Sequence, residues 1–151
     1  MVNNVLTPVP LGTFFGLLLL AYLVNQFAPL VQLVPSPYNV SGWVVIGLGF
    51  LLAAWAFATL RSHETTIAPG QVPSALVTGG PFAVSRNPIY LGDLLIVTGT
   101  AIAFSSLSTF IAPVLFFVVV NTIVIPFEEQ NLQRAFGDTY DRYRRAVRRW
   151  I

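Results

Sequence analysis

Arg86, Asn87, Pro88, Tyr90 and Asp93 fall within one short stretch, "SRNPIYLGD", at the entry to an apolar run. Glu128 and Glu129 stand side by side where a later apolar run gives way to polar sequence. A guanidinium beside the free N–H groups of a helix N-terminus makes a site for an anion. Paired carboxylates suit an ammonium or a hydroxyl, and they can accept a proton. Asn87 and Pro88 read as the N-cap and first residue of a helix, which accounts for their types without any chemistry. Tyr90 lies about one turn beyond Arg86, and Asp93 lies further in. Two acids at the C-terminal end of a helix work against its dipole. They therefore call for a cationic partner, and Arg86 stands at the same level if the two apolar runs form a hairpin.

The chain has no cysteine and one histidine, His63. Disulfides, thiolate zinc sites, cysteine nucleophiles and multi-histidine metal sites are thereby excluded within one chain, and no metal is expected. Chemistry falls to arginine, the carboxylates, tyrosine, asparagine and backbone, or to a borrowed cofactor.

What must position these residues is a set of membrane helices. Of the 151 residues, 55% are hydrophobic and 9% charged; an ordinary soluble domain has about a quarter charged residues. Mean hydropathy is +0.73. The expected fold class is an all-α integral membrane protein, one domain over 1–151. Four spans are predicted at about 11–34, 43–60, 89–104 and 110–127, with a polar loop over 61–88 and a C-terminal interfacial region over 128–151. The third run is short and must borrow residues from its flanks. "PSPYNVSG" and "SSLST" read as tight, uncharged turns. With four spans, all eight arginines fall on the side of the 61–88 loop and the two termini. The positive-inside rule makes that side cytoplasmic, in a bacterial inner membrane. An arginine rim facing anionic headgroups is a simpler reading than nucleic-acid binding. "MVNNVLTPVP" lacks the basic start of a secretory signal and reads as the lead-in to a retained helix.

Small residues offer packing sites at Gly12 and Gly16, and at Gly49 and Ala53. Pro29, Pro113 and Pro126 are expected to kink or end their helices. Beyond Gly137, Asp138 is a candidate cap for a further helix. Leu132, Phe136, Tyr140, Tyr143 and Val147 form an apolar stripe flanked by arginines, as in an interfacial helix that covers the mouth of the bundle.

"TGGPFAVSRNPIYLG", a helical hairpin, then "PFEEQNLQRAFGDTYDRYRRAVRRWI" resembles the isoprenylcysteine carboxyl methyltransferase and phospholipid methyltransferase superfamily. The resemblance covers about 78–151. It implies a membrane enzyme that uses S-adenosyl-L-methionine. It also implies a cofactor pocket: Gly80, Pro81 and Phe82 as loop wall, Arg86, Asn87, Pro88 and Tyr90 from the third span, and Glu128 and Glu129 from the fourth. The C-terminal tyrosines and arginines would cover it. Arg86, Glu129 and Arg144 are the candidates for roles in the reaction. Asn87 stands where eukaryotic prenylcysteine enzymes carry histidine, and an amide does not titrate near neutrality. The expected acceptor is lipophilic or amphiphilic, a carboxylate, an amine or a thiol, and the lipid bilayer is the expected partner. A small four-helix transporter and a non-enzymatic scaffold are the alternatives. A transporter ordinarily needs an ionisable group deep in a span, and here only Asp93 enters one, near its end. Oligomeric state is open.

Overall fold

The computed structural model describes residues 9–63 and 74–151. The first eight residues, with most of the lead-in, and much of the 61–88 loop lie outside the described residues. The described residues are helical and form no strands: α1 (Val9–Phe27), α2 (Ser41–Ser62), α3 (Pro88–Phe104), α4 (Ile111–Val119), α5 (Ile125–Phe136) and α6 (Asp138–Ala146). A π turn, Val120–Val124, joins α4 to α5 without a break. Three stretches are long and apolar enough to cross a membrane: Val9–Phe27, Tyr38–Ser62 and Leu107–Phe136. The third predicted span, α3, is apolar but has 17 residues. Trp43, Phe50, Phe15 and Phe27 are among many large apolar side chains exposed on the outside of the bundle, as a lipid-facing surface requires.

The sequence reading needs correction at two places. The first span does not reach residue 34. Ala28 still donates to Val24 O, but Pro29 has no N–H and its ring excludes a helical carbonyl four residues back, so α1 stops at Phe27. The residues that follow run extended along the α3–α4 turn. Leu33 N–H donates to Ser105 O, Leu107 N–H to Val31 O and Leu30 N–H to Ser106 Oγ. The fourth helix does not end at 127. It passes through the π turn and continues to Phe136, which places Glu128 and Glu129 inside a helix rather than at its C-terminal end. The conflict with a helix dipole therefore falls away. Among the described residues Gly12 and Gly16 meet nothing, and a Cβ on either would stand in open space, so a contact between copies of the chain is the packing left to them.

The tightest packing joins α2 to α3. A Cβ on Gly49 would lie 2.6 Å from Gly92 O, and one on Gly99 would lie 2.6 Å from Gly42 O. The backbones touch, as small residues permit when lipid supplies no hydrophobic drive between helices. Ala53 and Ala56 continue the seam toward the mouth. On the other face of α3, Val97 packs with Ala21 of α1 and Ala112 of α4. Nearer the mouth, Tyr90 packs with Phe116, Val120, Val124 and Ile125. The turns at 35–42 and 105–109 meet at the opposite end, where Asn39 Nδ2 donates to Ala103 O.

Gly49→Leu drives a side chain into the α3 backbone and is expected to destabilise the bundle by roughly 1–3 kcal/mol or more. Gly12→Leu, facing open space, leaves the thermal unfolding midpoint in detergent within a few degrees of the parent. Thermal scans of both variants check the pair.

Candidate functional site

Gly80, at φ +58, and the short 3₁₀ turn Gly80–Ala83 bring the chain to the mouth end of the bundle. A Cβ at Gly80 would meet Thr59 of α2, so this residue sits against α2. Pro81 and Phe82 are buried, and Phe82 packs with Ala56 and Val77. These three residues form a wall that faces α2. The Phe82 carbonyl accepts a hydrogen bond from Tyr143 Oη at 2.7 Å, which ties the wall to α6.

Asn87 stands at the N-cap position of α3 and Pro88 is its first residue, as the sequence indicates. The Asn87 side chain does not cap the helix. Its Nδ2 donates to Arg149 O at 3.0 Å, and its backbone N–H donates to Ser85 Oγ at 3.1 Å. Arg86 N–H donates to Arg148 O at 3.0 Å. The segment after α6 thus turns back along the residues that lead into α3, and its carbonyls accept from them.

The centre of the site is Glu129. Arg86 Nη2 lies 3.1 Å from Glu129 Oε1. Arg149 meets the same carboxylate in a forked arrangement, Nε to Oε1 at 3.2 Å and Nη2 to Oε2 at 2.7 Å. The side chains of Arg86 and Glu129 are 10% and 15% exposed, so water contributes little to either charge. Arg86 Nη1 also donates to Tyr140 Oη at 3.2 Å. Beside this cluster, Tyr90 Oη donates to Glu128 Oε1 at 2.7 Å. Arg149 Nη1 reaches Asn121 of the π turn, on both its backbone carbonyl and its Oδ1, and Trp150 Nε1 donates to the same Oδ1 at 3.1 Å.

Two guanidiniums face one carboxylate at the centre, so the cluster retains positive character suited to an anion. Arg86 Nε is buried and has no hydrogen-bond acceptor. It is a donor in want of an oxygen, which a ligand carboxylate would supply. Glu128, held by a single tyrosine hydroxyl, has acceptor capacity left for an ammonium or a hydroxyl. The residues present fit an amino-acid-like ligand end. Among the described residues no cluster of histidine, aspartate or glutamate is suited to hold a metal.

The structure brings Arg86, Asn87, Tyr90, Glu128 and Glu129 to one mouth. Arg144 is not with them: it pairs with Asp141 one turn back at 3.2 Å and its side chain is 53% exposed. Asp93 is half-buried on α3 and makes no hydrogen bond or ion pair among the described residues. The residues that the sequence reading missed are Arg149 and Asn121. Arg149 is one of five arginines that follow Gly137, and Asn121 lies in an apolar run; nothing local sets either apart.

Apolar helices of membrane length, with a buried arginine–carboxylate cluster at one end, define a small helical membrane protein. A family model for phospholipid methyltransferases matches residues 38–139, and the chain belongs to that family. Methanethiol S-methyltransferase 2 of Bradyrhizobium diazoefficiens is 30% identical over 146 residues, with 86% of this chain and 54% of the relative covered, so the chain spans about half of that protein's length. An uncharacterized protein of Haemophilus influenzae is 35% identical over 63 residues, 42% of this chain and the whole of the relative. No solved structure matches.

Burial raises the Tyr143 phenol above its ordinary value of 10.0, with Arg86 opposing and Tyr140 adding to the shift. Burial also raises Tyr140, and the Glu129 charge adds to this while Arg86 opposes it. Both remain protonated, and Tyr143 remains the donor to Phe82 O. Because the folded-state value lies above the unfolded one, the unfolded chain loses this proton first. Stability from Tyr143 is then whole below pH 10.0 and falls as pH rises beyond it. Tyr143→Phe is expected to lower stability by about 1 kcal/mol at neutral pH and to flatten the alkaline decline. Thermal unfolding at neutral pH and on both sides of pH 10.0 reads both effects.

Proposed function

We propose that this chain is a membrane-embedded methyltransferase that takes its methyl group from S-adenosyl-L-methionine. The observation that carries the reading is the buried Arg86–Glu129–Arg149 cluster beside the Tyr90–Glu128 pair, in a chain of the phospholipid methyltransferase family. When bound, the cofactor supplies a methyl group on a sulfonium, already a good leaving group. What the protein contributes is chiefly alignment and exclusion of water. Arg86, with its unused Nε donor, holds the carboxylate end. Glu128 takes the ammonium or a ribose hydroxyl, and Tyr90 orients Glu128. Glu129 keeps the two guanidiniums apart and aimed. Pro81 and Phe82 wall the chamber from α2.

The acceptor is an apolar or amphiphilic molecule that enters sideways from lipid. The likeness to methanethiol S-methyltransferase 2 favours a thiol. A thiol must lose its proton, and a carboxylate at this mouth, Glu128, Glu129 or Asp93, can receive it. In this reading α3 also crosses the membrane, as the third of four spans, the 1–151 chain is one domain, and α6 lies in the interface over the mouth. The mouth faces the cytoplasm of a bacterial cell, where the methyl donor is made, in keeping with the arginine distribution.

Calorimetric titration of S-adenosyl-L-methionine into detergent-purified protein is expected to show saturable binding. Glu129→Gln and Arg86→Ala are each expected to weaken it about tenfold or more, the loss of a charge-assisted hydrogen bond. No binding to the parent at millimolar cofactor overturns the reading. Because the chain has no cysteine, single replacements report orientation. Ser36→Cys should react with an impermeant maleimide from outside spheroplasts, and Arg145→Cys only after lysis.

A further inference from the structure

The π turn carries a consequence for Arg149. Ile125 N–H donates to Val120 O, five residues back. The next N–H in that series would reach Asn121 O, but it belongs to position 126, a proline, which has none. An unpaired carbonyl in an apolar helix is costly, because no water or lipid group satisfies it. Arg149 Nη1 fills the vacancy at 3.3 Å, and the same nitrogen lies 3.2 Å from Asn121 Oδ1. The opposite edge of this planar guanidinium, Nε and Nη2, grips Glu129. One rigid fork therefore joins an orphaned carbonyl on the π turn to the central carboxylate of the site. Trp150 Nε1 shares Asn121 Oδ1, and its ring lies 5.2 Å from that of Phe117, which fixes the approach of the segment.

We propose that Asn121 is a positioning residue: through Arg149 it sets the orientation in which Glu129 meets the ligand. The inference rests on the reading of this chamber as the methyl-donor pocket. Asn121 touches neither Glu129 nor Arg86; its two oxygens fix the rotation of the Arg149 plane, and that plane fixes the carboxylate. A lysine at 149 would lack the fork, so Arg149→Lys is expected to lose the effect despite its charge.

Asn121→Leu keeps the branched shape and removes the side-chain acceptor; Asn121→Asp keeps an acceptor for both donors. Each is compared with the parent in detergent by three measurements. They are calorimetric affinity for S-adenosyl-L-methionine, thermal midpoint, and acrylamide quenching of Trp150 with Trp43 and Trp55, both exposed, replaced by phenylalanine. Asn121→Leu is expected to weaken binding about tenfold and to expose Trp150, while Asn121→Asp binds within about threefold of the parent. The inference is overturned if Asn121→Leu binds like the parent. It is equally overturned if affinity merely follows the midpoint, so that both variants lose it together. A parent that binds no S-adenosyl-L-methionine overturns the donor reading and this inference with it. A parent that binds, beside an unaffected Asn121→Leu, overturns this inference alone.

Discussion

The mouth of this bundle depends on one carboxylate shared by two guanidiniums. Glu129 comes from α5, Arg86 from the residues before α3, and Arg149 from the segment after α6. No two of these are neighbours in sequence. Each charge would be costly at this depth alone, and each is tolerated because the others are there. The cluster holds the chain's last residues under the bundle, and those residues in turn satisfy the start of α3 through the carbonyls of Arg148 and Arg149. Local order and site geometry are therefore one property here.

Much of this was legible because local chemistry dictated it. Asn87-Pro88 starts α3 since a cap position followed by a ring with fixed φ leaves few alternatives. The placing of Arg86 against Glu129 followed from two polar groups at the same level of adjacent apolar runs. What was not legible depends on distance along the chain. Arg149 looks like Arg144, Arg145 and Arg148 until Val147 turns to extended backbone and sends the segment back toward α3. Pro126 reads as a helix end, yet the helix absorbs it by widening to a π turn, and Glu128 and Glu129 remain helical. Gly12 and Gly16 carry a spacing used for helix contacts, but spacing does not name a partner, and among the described residues they have none. Pro29, by contrast, ended its helix for the ordinary reason.

The ligand-facing groups are mounted in two ways. Tyr90, Glu128 and Glu129 project from long helices packed at their backs. Arg86 and Arg149 come from segments with little regular structure. The carboxylates thus sit on a helical frame, and the cations reach them from two segments hydrogen-bonded to each other.

The end opposite the mouth behaves differently. There the extended stretch after α1 is stitched to the α3–α4 turn by hydrogen bonds from Leu30, Leu33, Leu107 and Ser105. Breaking any of them inside a membrane exposes polar backbone with nothing to receive it. The two ends are thus held differently: backbone hydrogen bonds tie the turns, and charged side chains tie the mouth. The ties at the mouth can be cut one side chain at a time, whereas most of those at the turns run through backbone and yield to no substitution short of proline.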